Sequence, residues 1–307
     1  MAYLHSDREQ FRDAIDLAYE QTSVMVQAIE KDYYVTMLLR LLAQKMPYIV
    51  FKGGTSLSKC HKVIRRFSED IDITIDTLLS QGQKKKIKQA IVDSAQELGM
   101  TIENLDETRS RRDYNRYVIA YDSVIPMASD ALKAAVLLET SYTAVSFPTV
   151  LLPVHSYIGD MMEQEAPNAI EEYNLNPFEM KVQGIDRTLA DKVFAVCDYY
   201  LQGKVAKHSR HLYDIYKLLP LVPQNENFRE LVKEVRAVRA QSVVCHSALP
   251  EADVPELLEK IIKEKAYKQD YDGLTTQLLE EKVPYGTVIA ALKQIADGAM
   301  FDNTYGG

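Results

Sequence analysis

The pattern of apolar and polar positions divides the chain into an alternating part and a helical part. Residues 6–45 carry apolar side chains at helical spacing and predict helix. Residues 48–51 form a short apolar run, which predicts a buried strand. Gly53 and Gly54 end that run, and the residues after them predict a helix to about residue 65.

Residues 70–76 alternate strictly between polar and apolar side chains. Ile71, Ile73 and Ile75 occupy one set of positions, which predicts a strand with one face on the core. Asp70 and Asp72 then lie on the other face, and residues two apart on a strand are separated by about 6.6 Å. The pattern therefore places two carboxylates side by side.

The rest of the chain changes character near residue 180. Before it, the pattern predicts a helix over 80–98, strands over 116–122 and 134–141, and an edge strand or loop over 142–160, which holds two prolines. After it, helical periodicity recurs over 187–201, 210–219, 227–241, 254–267 and 283–299. We predict an α+β fold: a domain of residues 1–180 with a mixed sheet and flanking helices, followed by a helical domain of residues 181–307.

Composition excludes several classes of protein. The net charge of −8 argues against a general nucleic-acid coat, although a local basic groove stays open. The three cysteines have no C-x-x-C spacing, so they indicate a reducing compartment and no zinc framework. The first residues lack the form of a signal peptide, and no run of about 18 apolar residues is present. We predict a cytoplasmic protein with no membrane partner.

The sequence Lys52-Gly53-Gly54-Thr55-Ser56 connects the predicted strand to the predicted helix. Glycines allow close approach of a ligand to the backbone, and a helix start offers free N–H groups to a phosphate. The sequence is neither a P-loop nor a dinucleotide fingerprint. A tight turn without a ligand explains it equally well, so both interpretations stay open.

Asp70 and Asp72 suit divalent cations, because carboxylates so placed can share two ions in phosphoryl and nucleotidyl transfer. Oxygen-only ligands select hard ions, which indicates Mg²⁺ or Mn²⁺. Glu139, at the end of an apolar run, is the candidate third carboxylate. The alternative is an acidic strand face in solvent, with Glu139 a solvated acid at a strand end.

A basic cluster precedes the strand predicted at 116–122. Arginines interleaved with tyrosines suit phosphate contact and base stacking on RNA. A charged hairpin in solvent explains the same residues. The cluster consists of Arg109, Arg111, Arg112 and Arg116, with Tyr114 and Tyr117 among them.

These motifs together resemble one family. Lys52-Gly-Gly-Thr-Ser-Leu-Ser-Lys59 with Arg66-x-Ser68-x-Asp70-x-Asp72 resembles the AbiEii/AbiGii-type nucleotidyltransferase toxins, which include the MenT-like enzymes of the DNA polymerase β superfamily. Thr188-Leu-Ala-Asp-Lys192 and Lys207-x-x-Arg210-His-Leu-Tyr-Asp214 resemble further motifs of that family. The similarity covers about residues 35 to 300.

The resemblance implies a nucleotidyltransferase-like sheet and metal-dependent transfer of NMP from an NTP to an RNA acceptor such as a tRNA 3′ end. It also implies a toxin opposed by an antitoxin protein. Carried over by position, it implies catalytic Asp70, Asp72, Lys192 and Asp214, metal ligands Asp70, Asp72 and Glu139, nucleotide contacts Lys52, Gly53, Gly54, Thr55, Ser56, Lys59, Arg66 and Ser68, and RNA contacts Lys207 and Arg210 besides the arginine cluster. The chain departs from the family pattern at Glu139, where such folds often carry aspartate, and at His211-Leu-Tyr213.

Two other interpretations remain. Asp70-Ile-Asp72-Ile-Thr74 also spells D-x-D-x-T, the nucleophile motif of haloacid-dehalogenase-like phosphatases. That motif normally ends an apolar strand, whereas residues 65–69 before it are mostly polar. A catalytically inactive protein that acts by binding a partner is the other alternative, and the joint presence of Asp70, Asp72, Lys192 and Asp214 speaks against it.

Overall fold

The chain forms two units, each defined by the contacts among its own residues. The computed structural model describes residues 2–66, 68, 70–126 and 133–302. Met1–His61 and Ser68–Gln183 form the first unit, and Lys62–Phe67 and Gly184–Gly307 form the second. The segment 62–67 therefore belongs with the helical part of the chain, which the predicted boundary at residue 180 did not include. Phe67 and Glu69, inside the Arg-x-Ser-x-Asp motif, lie outside the described residues.

The first unit is built on a mixed sheet of seven strands in the order β3-β4-β5-β2-β1-β7-β6. The pairs β2–β5 and β1–β7 are parallel, and the other neighbours are antiparallel. This confirms the predicted mixed sheet. The strands are β1 (Ile49–Lys52), β2 (Ile71–Ile75), β3 (Thr101–Ile102), β4 (Tyr114–Ala120), β5 (Ala135–Val145), β6 (Thr149–Val154) and β7 (Phe178–Gln183).

Strand β2 has the predicted apolar face, since Ile71, Ile73 and Ile75 are buried. The strand begins at Ile71, so Asp70 lies immediately before it. The proline-containing segment forms β6, the last strand of the sheet. Pro153 is tolerated there because an edge strand does not need every N–H for pairing.

Six helices flank the sheet in the first unit. The predicted helical stretch over 6–45 is two helices, because Ser23 adopts a left-handed conformation with φ of 57° and interrupts it. The second of them is buried on almost all sides, and packs on α1, α4, α5 and β5. The helices are α1 (Arg8–Thr22), α2 (Val26–Lys45), α3 (Gly53–Lys59), α4 (Gln81–Glu97), α5 (Tyr157–Glu165) and α6 (Pro167–Glu172), with a 3₁₀ turn at Leu4–Ser6 and another at Leu105–Glu107.

The second unit is helical in the residues that the structure describes. Its core lies between α7 and α8, where Leu189, Phe194 and Leu212 are fully enclosed. Within the described ranges, no helix is both long enough and apolar enough to cross a membrane. The helices are α7 (Ile185–Leu201), α8 (Arg210–Leu218), α9 (Glu226–Arg239), α10 (Val254–Glu264), α11 (Lys268–Asp270), α12 (Thr276–Leu278) and α13 (Tyr285–Ala296), with 3₁₀ turns at Leu219–Leu221 and His246–Ala248 and a π turn at Tyr271–Thr275.

Candidate active site

Four charged residues stand in register across four adjacent strands of the first unit. Lys52 on β1 is the Cα partner of Asp72 on β2, and Asp72 is the partner of Glu139 on β5. Glu139 is in turn the partner of Arg116 on β4. Neighbouring strands are about 4.8 Å apart, so the four residues form one row. We call Lys52, Asp72, Glu139 and Arg116 the charged row; its two carboxylates lie between two cations.

The turn at Gly53 is shaped to receive the Asp72 carboxylate. Gly53 has φ of +80°, in the region that favours glycine. A Cβ on Gly53 would overlap Oδ2 of Asp72 and lie 2.9 Å from its Cγ. Only glycine allows this approach, so the Gly-Gly turn and the D-x-D motif meet at one place, as their joint interpretation in the sequence required.

The residues after Gly53 hold the turn together. The hydroxyls of Thr55 and Ser68 are 2.9 Å apart, which joins the G-G-T-S motif to the residue that precedes Asp70 by two. Ser56 is fully buried, and its hydroxyl donates to the Gly53 carbonyl at 2.9 Å. Ser56 therefore stabilises the turn, and its predicted role as a nucleotide contact stays a prediction.

The carboxylates of the D-x-D motif stand at the start of a strand. Asp70 precedes β2 and Asp72 is its second residue, so the motif does not end an apolar strand as in the phosphatase alternative. Among the residues that the structure describes, no group of three or more His, Cys, Asp or Glu side chains is placed to hold a metal ion. Glu139 is therefore near the aspartate pair in the sheet without completing a three-carboxylate cluster.

Glu139 interacts instead with two side chains of β4. Nε of Arg116 lies 3.7 Å from its Oε1, and the Tyr114 side chain is near enough for the charge of Glu139 to act on its hydroxyl. Partial burial, followed by the charge of Glu139, raises the pKa of Tyr114 to about 12, so this hydroxyl stays protonated and can donate. Half of the Tyr114 side chain is exposed. Sequence analysis placed Arg116 with the RNA contacts; the structure places it in the charged row.

Lys59 lies in the interior of the first unit. It is 8% exposed, and its ammonium forms an ion pair with Asp32 on α2. The second oxygen of Asp32 accepts from the Tyr157 backbone N–H at 3.0 Å. In this conformation Lys59 neutralises the partly buried Asp32 carboxylate, and its predicted phosphate contact stays a prediction. Asp32 was missed in the sequence, although a charged residue within the apolar α2 was a signal for it.

The second unit contains a buried cluster of three charged residues. Arg66 donates through Nε and Nη2 to Oδ1 and Oδ2 of Asp214, at 2.7 Å and 2.8 Å. Nζ of Lys192 lies 2.6 Å from the same Oδ2. The structure thus joins Lys192 and Asp214, which were predicted as a catalytic pair. It gives Arg66, predicted as a nucleotide contact, a bidentate partner in this unit, and the nucleotide contact stays a prediction.

Burial and charge act against each other in this cluster. Burial alone would raise the pKa of Asp214, but Arg66 and Lys192 outweigh it and hold that pKa well below its ordinary value. Burial lowers the pKa of Lys192, and Arg66 adds to this, despite the attraction of Asp214. Asp214 is therefore a firmly ionised carboxylate between two cations.

Aromatic rings stack beside this cluster. Tyr199 and His208 lie 3.6 Å apart between ring centroids at an interplanar angle of 10°, and His211 is parallel to both. Burial lowers the pKa of His211 well below its usual value, and the nearby Lys192 lowers it further. Both histidines are therefore neutral near pH 7, since burial also lowers the pKa of His208.

The remaining basic residues belong to the loop before β4 in the first unit and to the segment around the start of α8 in the second. Arg109 and Arg112 donate to backbone carbonyls of Thr108 and Glu107, so their guanidinium groups support the loop before β4. Arg111 is exposed on the same loop. In the second unit, Lys207 is exposed with φ of 68°, and Arg210 is the first residue of α8.

The class of protein, a nucleotidyltransferase, follows from comparison with known families. The family model described as "Nucleotidyl transferase AbiEii toxin, Type IV TA system" matches residues 36–296. The chain therefore belongs to the AbiEii family of nucleotidyltransferase toxins, as the sequence motifs indicated.

One solved structure adds to this at the level of the fold. The chain is similar to MenT4, a nucleotidyltransferase toxin from Mycobacterium tuberculosis H37Rv, with a TM-score of 0.50 and 14% sequence identity. The match covers 95% of this chain and 88% of MenT4. Comparison with curated protein sequences gives no match. The fold class predicted from sequence is confirmed.

Proposed function

We propose that the chain transfers a nucleoside monophosphate from an NTP to the 3′ end of an RNA, with tRNA as the acceptor class, and that an antitoxin protein opposes this activity. The observation that carries the proposal is the approach of Asp72 to Gly53, which brings the acidic motif and the glycine turn together. Family membership supports nucleotidyl transfer over the phosphatase and the inactive-protein alternatives.

The reaction forms one bond and breaks one bond at the α-phosphorus. The terminal RNA hydroxyl oxygen bonds to phosphorus, the bond to the bridging oxygen breaks, and pyrophosphate leaves with that electron pair. The hydroxyl proton passes to a carboxylate or to solvent. We assign to Asp70 and Asp72 a place beside the reacting phosphate. The surrounding nucleotide contacts are Lys52, Gly53, Gly54, Thr55 and Ser68.

The donor set fits a divalent cation. Asp70, Asp72 and Glu139 offer only carboxylate oxygens, which suit hard ions such as Mg²⁺ or Mn²⁺. The missing Cβ of Gly53 leaves the Asp72 carboxylate its place in the turn. A bound ion would supply charge neutralisation at the phosphates and a lower pKa for the attacking hydroxyl. We propose Asp70 and Asp72 as its ligands, with Glu139 as the third.

The RNA acceptor is supported by exposed cations. Arg111 in the first unit and Lys207 in the second are exposed. Exposed cationic side chains bind RNA phosphates in a salt-dependent way. We propose Arg109, Arg111, Arg112, Lys207 and Arg210 as RNA contacts. Lys192 and Asp214 are proposed as residues required for transfer, as the family resemblance implies.

The test measures transfer directly. Purified protein is incubated with Mg²⁺, total RNA and each α-labelled NTP in turn, and label in RNA is counted. Wild type is expected to label RNA with one or more NTPs. Asp72→Asn keeps the side-chain volume and removes the charge, so it is expected to reduce labelling by about 100-fold or more.

Asp76→Asn is the matched control. Asp76 follows the same strand and pairs with Lys181 outside the charged row, so its variant is expected to label RNA. Equal labelling by wild type and Asp72→Asn would overturn the proposed site. Phosphate release from NTP without RNA labelling would favour the phosphatase, and the absence of any turnover with an intact fold would favour the partner-binding protein.

A further inference from the structure

Glu139 contacts side chains of β4, the strand on the opposite side of β5 from Asp72. Arg116 is its Cα partner there, and Tyr114, two residues earlier, lies on the same face of β4. Nε of Arg116 lies 3.7 Å from Oε1 of Glu139 and forms an ion pair with it. The described conformation therefore commits Glu139 to β4, although its Cα is the direct neighbour of Asp72.

The Arg116–Glu139 ion pair is weak enough for each residue to exchange its partner. The Arg116 side chain is 53% exposed and that of Glu139 is 36% exposed. Ion pairs between exposed side chains are weak, because water screens them and two flexible side chains must be ordered. A divalent cation carries more charge than Arg116, so it competes well for Glu139. A polyphosphate carries more charge than Glu139, so it competes well for Arg116.

Each member of the pair has a natural second partner in the proposed reaction. The guanidinium is a planar fork of donors that matches phosphate oxygens. The Glu139 carboxylate is the neighbour of Asp72 in the charged row, and rotation about its side-chain torsions brings it towards Asp72 without movement of β5. Both changes require only side chains to move.

We propose that Arg116 is a positioning residue that holds Glu139 until a nucleoside triphosphate takes its guanidinium, after which Glu139 joins Asp72 at the cation. Nucleotide binding and cation binding are thereby coupled through one ion pair. The inference rests on the proposed function, because it takes the aspartates as cation ligands.

The coupling has a measurable consequence in the absence of turnover. Arg116 competes with a cation for Glu139, so Arg116→Gln is expected to tighten Mn²⁺ binding without nucleotide by about 5-fold or more. Tyr114→Phe leaves the Arg116–Glu139 ion pair in place and is expected to tighten Mn²⁺ binding less. A non-hydrolysable α,β-imido NTP supplies phosphate ligands to Mn²⁺ in both proteins and is expected to tighten Mn²⁺ binding by a larger factor in wild type than in Arg116→Gln. The KM for NTP is expected to rise in Arg116→Gln.

Mn²⁺ binding is measured by the EPR signal of the free ion, first without nucleotide and then with each of the four α,β-imido NTPs. Lys52→Gln is the matched control, because it removes the same charge from the other end of the charged row, beside Asp72. A purely long-range charge effect would make Lys52→Gln tighten Mn²⁺ binding at least as much as Arg116→Gln, because Lys52 is nearer to Asp72 in the charged row. In a Glu139→Gln background, Arg116→Gln is expected to change the Kd for Mn²⁺ no further.

Three results would overturn the inference: weaker or unchanged Mn²⁺ binding in Arg116→Gln, an effect no larger than that of Lys52→Gln, or an effect that persists in the Glu139→Gln background. The Asp72→Asn variant distinguishes failure of this inference from failure of the proposed function. If Asp72→Asn leaves Mn²⁺ binding intact, the proposed cation site itself fails. If Asp72→Asn abolishes binding and Arg116→Gln changes nothing, only the exchange of partners fails.

Discussion

At the scale of single residues, Gly53 connects backbone conformation to the chemistry of the site. Its φ of +80° costs an ordinary residue about 1–2 kcal/mol, and a Cβ would also displace the Asp72 carboxylate. Gly53→Ala is therefore expected to lower the melting temperature by a few degrees and to weaken Mn²⁺ binding by about 10-fold or more. Thermal unfolding and Mn²⁺ titration measure the two effects separately.

Gly99 offers the matched control for this prediction. It also has a positive φ, of +66°, but nothing lies within 4 Å of a Cβ added there. Gly99→Ala carries a comparable backbone cost and leaves Asp72 untouched, so it is expected to lower the melting temperature and to keep Mn²⁺ affinity. Loss of Mn²⁺ binding in both variants would contradict a specific role for Gly53.

At the scale of elements, the stack of Tyr199, His208 and His211 makes the second unit sensitive to acid. The pKa of His211 is lowered in the folded state, mainly by burial, and charges of Arg66, Lys192 and Arg210 lower it further while Asp214 opposes them. The unfolded chain then binds a proton that the folded chain does not, from about pH 6.5 downwards. Stability is therefore complete above about pH 6.5 and falls as the pH is lowered towards the folded pKa, by up to about 1.4 kcal/mol per pH unit.

His211→Phe keeps a flat ring in the stack and removes the titration. Its melting temperature is expected to fall less between pH 7.5 and pH 5.5 than that of wild type. Nδ1 of His211 is buried and makes no hydrogen bond in the structure, so the replacement of this atom leaves no partner unsatisfied. The same pH dependence in both proteins would show that His211 does not determine the acid sensitivity.

The local pattern predicted most elements, and it failed where conformation depends on distant neighbours. Periodicity found β2 and the helices α7, α8, α9, α10 and α13, because each buries a face that repeats in the sequence. The break at Ser23 has no glycine to indicate it. The charged row depends on strand register, which is set by packing across the sheet and cannot be read from any one strand.

In the candidate site, too, local properties could be predicted from the sequence and contacts with distant residues could not. Asp72 and Gly53 were predicted by type and spacing, because a carboxylate and a flexible turn are local properties. The partners of Lys59 and Arg66 lie 27 and 148 positions away in the sequence. A motif alone therefore does not show whether a cation faces a ligand or neutralises a buried carboxylate.

At the scale of the whole molecule, the second unit encloses two cations around one carboxylate. Asp214→Asn leaves Arg66 and Lys192 buried without their shared counter-charge. Breaking a buried ion pair in this way typically costs about 3–5 kcal/mol. The variant is therefore expected to melt on the order of 10 °C below wild type, as followed by circular dichroism. Lost activity in Asp214→Asn would then not distinguish a catalytic role from loss of folding.

Lys192→Met resolves this ambiguity. It leaves the bidentate Arg66–Asp214 pair in place, and it removes an ammonium whose pKa is already lowered by burial. Removal of one partner from a buried ion pair is costly because it leaves a buried charge without a counter-charge, but in Lys192→Met the Asp214 carboxylate keeps the Arg66 guanidinium. Lys192→Met is therefore expected to melt within about 3 °C of wild type, and under the proposed function to label no RNA. A stable Lys192→Met variant that transfers nucleotides at the wild-type rate would show that Lys192 serves only to neutralise Asp214, and would remove it from the proposed active site.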